Sequence, residues 1–386
     1  MKLGIIREQP KIWELSLLEG LSKYEISPGV ICPINKSSSV LKLDMHVDRL
    51  LSYEFFNKIP LLSKFLQYRY SLNGRMFNFN KTAKKYDVLS PIEIGWASTY
   101  QAVKSGVPTV VKVWENIPYN WDLFPYLDKI RKTRNPKFAK YVAKNAALFL
   151  AASELSKEAL ILNGVTEEKI RVIYEGVDTN LFKPMKVDKE KFRKKYGFSV
   201  DDKILLFIGR LVWEKGVRDL LFMMKSLVSE KKNVKLIIIG EGPLKKSIKE
   251  AINVLKLDKN VIMIDRIDFF SLPEVYNNTD VFVLPSMPLL RFTEQFGKVL
   301  TEAMSCGVPV VSTLCGGIPE VVDDGKAGFL VPPCNWVKLK ESVMNLLEDE
   351  DLRKKMGKHA REYILNKFDS DLINKKLAEA YKSVIK

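Results

Sequence analysis

In the second half of this 386-residue chain, short β-branched runs alternate with amphipathic helical stretches, and that alternation limits the fold more than any other feature. The runs at 203–208, 234–239, 261–264, 280–284, 308–312 and 328–331 are almost continuously apolar. Strands apolar on both faces belong to a parallel sheet covered by helices on either side. Between them, 243–255 carries Pro243 where a first helical turn tolerates it, and 293–306 stops at Gly307 before the next run. The pattern predicts repeated βαβ units and hence a doubly wound α/β domain.

The first half repeats the theme at 2–6, 86–89, 108–113, 147–151 and 169–173. Since the chain exceeds the roughly 150–200 residues of one core, the expectation is two Rossmann-like doubly wound domains in series. Their predicted bounds are 1–184 and 185–366, with a terminal helix over 367–386 that packs at the interdomain region. The charged stretch 182–197 is the linker candidate, and Ile373, Leu377, Ala380, Tyr381 and Val384 recur at helical spacing in the tail.

No run of about 18 apolar residues occurs, and 3–6 is too short for a signal-peptide core, so the expected location is cytoplasmic. Cys32, Cys306, Cys315 and Cys334 lack CxxC spacing and His46 and His359 stand far from them, which predicts free thiols and no metal site. A net charge of +16 points to an anionic partner and leaves nucleic acid, an anionic membrane and phosphorylated substrates open. Nucleic acid is not expected, because no RNP, KH, zinc-finger or helix-turn-helix signature is present.

Ligands of a doubly wound sheet bind beyond the carboxyl ends of its strands. After 203–208 come Gly209 and Arg210, then Lys215 and Gly216. A guanidinium fork and an ammonium there suit a diphosphate, the alternative being a solvated basic loop. After 234–239 comes Gly240-Glu241-Gly242-Pro243, which is no dinucleotide fingerprint because the third glycine of GxGxxG falls at Lys245. Glu294 and Glu302 stand eight positions apart. Were the whole segment helical, their carboxylates would lie about 12 Å apart along the axis and about 80° around it, too far for a hydrolytic pair at about 5–9.5 Å. They suit a sugar and a ribose of one extended ligand, with amides near Gly297 facing phosphate, or else are surface glutamates on an amphipathic helix. Cys315-Gly316-Gly317-Ile318-Pro319-Glu320 gives a further glycine turn, and such turns after successive strands point to a nucleotide pocket.

Here the chain resembles the retaining glycosyltransferases of family 4, glycosyltransferases group 1, which include sucrose synthases and phosphatidylinositol mannosyltransferases. The resemblance is carried by VIYEGVDTNLFKP, FIGRLVWEKGVRDLL, IIGEGPLKKSI, VFVLPS and EQFGKVLTEAMSCGVPVVSTLCGGIPEVVDDGKAGFLVPP. It implies a GT-B fold, two Rossmann-like domains facing across a cleft, with a nucleoside-diphosphate sugar in the C-terminal one and the acceptor in the N-terminal one. By that resemblance Arg210 and Lys215 neutralise the donor diphosphate and its developing charge, and Glu294 holds sugar hydroxyls beneath the anomeric carbon. Phe296, Gly297, Lys298 and Val299 supply backbone contacts, Gly209 and Gly240 complete the donor loops, Glu302 binds ribose hydroxyls, and the base lies near Arg266 and Ile267. The implied reaction is a retaining, front-face hexosyl transfer from a UDP- or GDP-sugar to a glycan or lipid-linked acceptor, without metal or cofactor. A sugar-nucleotide epimerase on the same fold is the alternative reading, and a basic nucleic-acid-binding protein a further one.

Two departures stand out. Many relatives carry a glycine-rich loop after the first strand, whereas Ile6 is followed by Arg7-Glu8-Gln9-Pro10. Many carry a histidine after an N-domain strand, where this chain has Trp114 and Glu115, acceptor-side candidates to stack on a sugar and bind its hydroxyls; a structural tryptophan is the alternative. Asp369-Ser370-Asp371 imitates a metal-binding DxD but reads as a helix cap. Finally, 49–85 holds eight basic residues and one acid among Tyr53, Phe55, Phe56, Phe65, Tyr68, Tyr70, Phe77 and Phe79, and 129–144 adds seven more basic residues. Rings and cations together suit an anionic bilayer, or a core of aromatics with solvated lysines.

Overall fold

The computed structural model describes residues 1–34, 45–52, 75–118, 135–231, 233–290 and 292–385. The chain forms two compact units, Met1–Gly176 with Ser370–Lys386, and Val177–Asp369. The predicted boundary at 184/185 thus falls at 176/177. The stretch 182–197 is not a linker: Phe182 is buried edge-on to Phe269 and Tyr276, and Lys189–Tyr196 forms a helix that buries Phe192.

In the first unit the strands are β1 (Lys2–Ile6), β2 (Ser27–Pro33), β3 (His46–Leu50), β4 (Val88–Ser90), β5 (Val110–Val113), β6 (Leu148–Ala151) and β7 (Ile170–Val172). They pair in parallel in the orders β3-β2-β1-β4 and β5-β6-β7, and the parallel bridges Leu89↔Thr109 and Ile92↔Lys112 carry β4 on to β5. Sequence patterning missed two of these strands. Pro28, Gly29 and Pro33 punctuate β2, and β3 is a partly exposed edge strand whose polar residues break an apolar run.

The second unit contains β8 (Lys203–Ile208), β9 (Val234–Ile239), β10 (Val261–Ile264), β11 (Val281–Leu284), β12 (Val310–Thr313) and β13 (Gly328–Val331) in the order β10-β9-β8-β11-β12-β13, all parallel. That is the doubly wound order, and it reverses between β8 and β11; the first unit reverses likewise between β1 and β4. Leu205, Leu206, Phe207, Ile237 and Ile238 are fully buried, as a sheet covered on both faces requires.

The terminal helix, Ser370–Lys382, belongs to the first unit. It buries Ile373, Leu377, Ala380 and Tyr381 in a core shared with Leu3, Leu18, Leu21 and Val30, while Asn374 donates to the Leu17 carbonyl at 2.7 Å. At its start, Asp369 accepts the Thr179 hydroxyl at 2.5 Å and Asp371 pairs with Lys23 at 2.8 Å. All four cysteines are free thiols; three are buried, and Cys334 is exposed. Of the basic aromatic stretch, Tyr53, Phe55, Phe56, Phe65, Tyr68 and Tyr70 lie outside the described residues, as do residues 129–134 of the second basic run. Phe79 packs inward with Met76 and Ala83. Among the described residues no helix is long and apolar enough to cross a membrane.

Candidate active site

The crossing between β8 and β11 brings two loops together. The loop after β8 carries Gly209, Arg210 and the short turn Trp213–Lys215; the one after β11 carries Ser286 and then Glu294. Their backbones are tied by the Met287 amide donating to the Glu214 carbonyl at 2.9 Å. Gly216 makes the tie possible, because its φ of +65° is left-handed and a Cβ there would sit 1.8 Å from the Pro285 carbonyl oxygen.

Within that frame Lys215 Nζ lies 2.6 Å from Glu294 Oε2, which also accepts the Ser286 hydroxyl at 2.7 Å. The Ser286 carbonyl is in turn bonded by the Thr313 hydroxyl at the end of β12. Lys215 also stands 5.5 Å over the Phe292 ring. The Lys215 and Glu294 side chains are 14% and 9% exposed, so the pair is shielded enough for its charges to be strong yet still reachable by a ligand. Glu294 is held from behind as well. Its carbonyl accepts the Gly317 amide at 2.8 Å, and Gly316, at φ +58°, comes so close that a Cβ would lie 2.1 Å from the same oxygen.

The helix that follows is Lys298–Ser305, with Gly297 as its left-handed cap. It starts later than the pattern predicts, so Glu294 sits in the preceding loop and the spacing calculated for a continuous helix does not apply. Lys298 and Val299 provide the first helical amides, beside Gly297. The Phe296 ring is buried edge-on to Phe368. Glu302 is almost fully buried and accepts the Tyr276 hydroxyl at 3.0 Å. Burial pushes the Glu302 carboxyl above its ordinary range, against the pull of Lys298 and the Tyr276 hydroxyl. It also raises the Tyr276 phenol, with the Glu302 charge adding to the effect.

Arg210 extends from the β8 end, its side chain 68% exposed and 3.6 Å from Glu214. Gly240 continues the ladder past β9, its amide bonded to the Ile264 carbonyl at 2.9 Å. Beyond β10, Arg266 pairs with Glu241 at 2.7 Å and Ile267 is half-buried. Lys215 and Glu294 therefore meet directly, while Arg210, Arg266 and Glu302 each engage another partner. Ser286 and Tyr276 were not singled out from sequence. Ser286 follows a buried strand, the place such sheets use for ligands; Tyr276 lies in a helix with no local signal.

The edge of the first unit's sheet is built otherwise. Arg7 is buried, bonded by Nε and Nη2 to Glu14 Oε1 at 2.8 and 2.5 Å and by Nη1 to the carbonyls of Ile6 and Ser90. It fills the β1–β4 crossing. Further along, buried Lys112 pairs with Glu175 at 2.7 Å, and Glu175 Oε1 accepts the Trp114 indole N–H at 2.6 Å. Burial works against the Lys112 charge, but the Glu175 and Glu14 carboxylates outweigh it and hold its pKa above the ordinary lysine value. The Trp114 and Glu115 amides both donate to Glu93 Oε1, at 3.0 and 3.2 Å, and Glu115 is buried, bonded through Oε1 to the Ile117 amide.

A two-unit, doubly wound protein with a charged, glycine-framed side-chain cluster at one crossing is thus defined. The description "Glycosyl transferases group 1" matches residues 188–363, and "Glycosyltransferase Family 4" matches residues 15–181. The chain belongs to this family of GT-B proteins. It is 32% identical to the capsular polysaccharide biosynthesis glycosyltransferase CapM of Staphylococcus aureus over 64% of this chain and 66% of that one, just under two thirds of the relative. It is 29% identical to the N,N'-diacetylbacillosaminyl-diphospho-undecaprenol alpha-1,3-N-acetylgalactosaminyltransferase of Campylobacter jejuni, over 71% of this chain and 73% of that one. In fold it is similar to Anabaena HepE crystallised with UDP and glucose, at TM-score 0.75 and 24% identity over 99% of this chain and all of the other.

Proposed function

We propose that the chain transfers a hexose from a nucleoside-diphosphate sugar to a glycan or lipid-linked acceptor, with retention of anomeric configuration. The observation that carries this is the Lys215–Glu294–Ser286 cluster between glycine-framed loops at the second unit's crossing. On donor binding, Lys215 and Arg210 take the diphosphate and stabilise the charge that develops as it leaves, and Glu294 turns to the sugar hydroxyls. The amides at Gly297 to Val299 face the phosphate from a helix start. Glu302, beneath them, takes the ribose; Gly209 and Gly240 frame the donor, and the base lies toward Arg266 and Ile267. Charge neutralisation by side chains does the work of a metal in this scheme, and a front-face departure lets the leaving phosphate receive the acceptor proton.

HepE's complex with UDP and glucose supports a uridine donor. The Campylobacter relative's diphospho-undecaprenol substrate supports a lipid-linked acceptor at a membrane surface reached from the cytoplasm. Trp114 and Glu115 are the acceptor-side residues. A panel of UDP- and GDP-sugars read by thermal shift tests the donor, since a ligand at a hundred times its Kd stabilises by about 2.7 kcal/mol. Product analysis tests the reaction. Released nucleoside diphosphate plus glycoside is expected; an isomerised donor would identify an epimerase instead.

A further inference from the structure

The first unit's crossing is closed. Arg7 is 2% exposed, with three of its side-chain nitrogens committed to Glu14, Ile6 and Ser90, so no ligand phosphate enters between β1 and β4 without breaking that set. The next place along the same carboxyl edge is the mouth of β5 and β7, where Trp114 and Glu175 emerge.

There the indole is fixed on several sides. Its N–H is bonded to Glu175, its backbone amide to Glu93, and its carbonyl accepts the Ser156 hydroxyl at 3.1 Å. The Lys112 ammonium and the Arg7 guanidinium stand 5.2 and 5.8 Å from the ring centre, each neutralised by its own carboxylate. A tryptophan that served only as filler would need no charged group at its N–H, and burying a carboxylate beside it is costly without a cation. Lys112 is that cation, and it too is buried. Trp114 is only half-buried. A half-open aromatic ring whose rotation is blocked is a surface for the apolar face of a sugar, bound at low entropic cost.

We infer that Glu175, oriented by Lys112, is a positioning residue that locks the Trp114 indole as the platform for an acceptor sugar. This rests on the transferase reading and adds to it the side chains that hold the platform.

The test uses UDP-glucose as donor and octyl glycosides of glucose, galactose and N-acetylglucosamine as acceptor probes, with three variants beside the native chain. Trp114→Phe keeps a ring but loses the N–H. Lys112→Met with Glu175→Gln removes the buried charges yet keeps a carbonyl to accept the indole N–H. Lys112→Met with Glu175→Leu removes that acceptor as well. The expected result is an acceptor KM raised about tenfold by Trp114→Phe and by the Met–Leu pair, in line with loss of one strong hydrogen bond, and a KM restored by the Met–Gln pair. Donor KM and donor hydrolysis by water stay within about twofold in all three. In 5-fluorotryptophan protein, the Trp114 fluorine resonance, assigned through Trp114→Phe, is expected to move on adding a glycoside. A resonance that none of the glycosides moves overturns the inference, as does an equal acceptor KM in all variants. Absence of both donor binding and donor hydrolysis in the native chain would instead overturn the transferase reading beneath it.

Discussion

Both units reverse their strand order at an equivalent place, and the two crossings are filled in opposite ways. In the second unit the gap between β8 and β11 is framed by backbone, with Gly216 and Gly316 drawing loops together around one reachable ion pair. In the first, the gap between β1 and β4 is occupied by Arg7, whose charge is cancelled by Glu14 and whose remaining donors are taken by carbonyls. One crossing holds a shielded, partly exposed ion pair; the other is sealed by the protein's own charges. The proposed function therefore puts the donor at the open crossing and the acceptor at a strand end beside the sealed one. A buried, self-satisfied ion pair contributes specificity of structure more than binding, while a shielded pair that can exchange partners is suited to catalysis.

The sharpest way to break this contrast is to remove one charge from the sealed crossing. Glu14→Leu alone strands buried Arg7 without its paired carboxylate and is expected to cost about 3–5 kcal/mol, a melting-temperature drop on the order of 10 °C. A drop no larger than that of a surface substitution would mean the pair is not buried as described. On the open side, Glu294→Ala is expected to lower kcat about 100- to 1000-fold while the chain still folds, as checked by circular dichroism and donor turnover; Lys215→Ala should behave similarly.

Gly316→Ala addresses the framing. Strain at a left-handed φ costs about 1–3 kcal/mol, and the added methyl must push the Glu294 backbone away, so turnover should fall more than stability accounts for. Glu302→Gln sharpens the comparison through pH. The folded carboxyl pKa is raised, so the folded state holds its proton more tightly than the unfolded chain. Stability is therefore lost as pH climbs from the ordinary carboxyl value through the raised one. The glutamine variant should melt higher than the native chain at pH 8, lose that advantage near pH 4, and bind donor more weakly. The smallest effect is expected from EDTA: treatment should leave turnover within about twofold, as the proposed neutralisation of the diphosphate by Lys215 and Arg210 requires.

The second sheet was readable because its evidence is local. Buried parallel strands are unbroken apolar runs, and Gly209, Gly240 and Gly316 follow them in sequence as they do in space. Placement of Glu294 was less so, since periodicity extended the helix back over 293–297 when Gly297 in fact begins it. Edge strand β3 was invisible because a partly exposed strand needs no apolar run. In the first unit, Arg7 and Glu14 are close in sequence, but Lys112, Trp114 and Glu175 are joined only through the pairing of β5, β6 and β7, and nothing in a linear pattern marks that meeting.

By itself, the amino-acid sequence determined the α/β class, the positions of the second sheet's strands along the chain, and the loops that carry Arg210, Lys215 and Glu294, because hydrophobic period and glycine spacing act over a few residues. Only the tertiary structure decided that Ser286 braces Glu294, that Tyr276 caps Glu302, that the terminal helix returns to the first unit, and that Arg7 closes one crossing while Lys112 and Glu175 fix Trp114 beside it. Those contacts join residues from seven or eight positions apart, as in Arg7–Glu14 and Ser286–Glu294, to hundreds apart, as in Asn374–Leu17. Their energies depend on burial and distance, which a chain acquires only by folding.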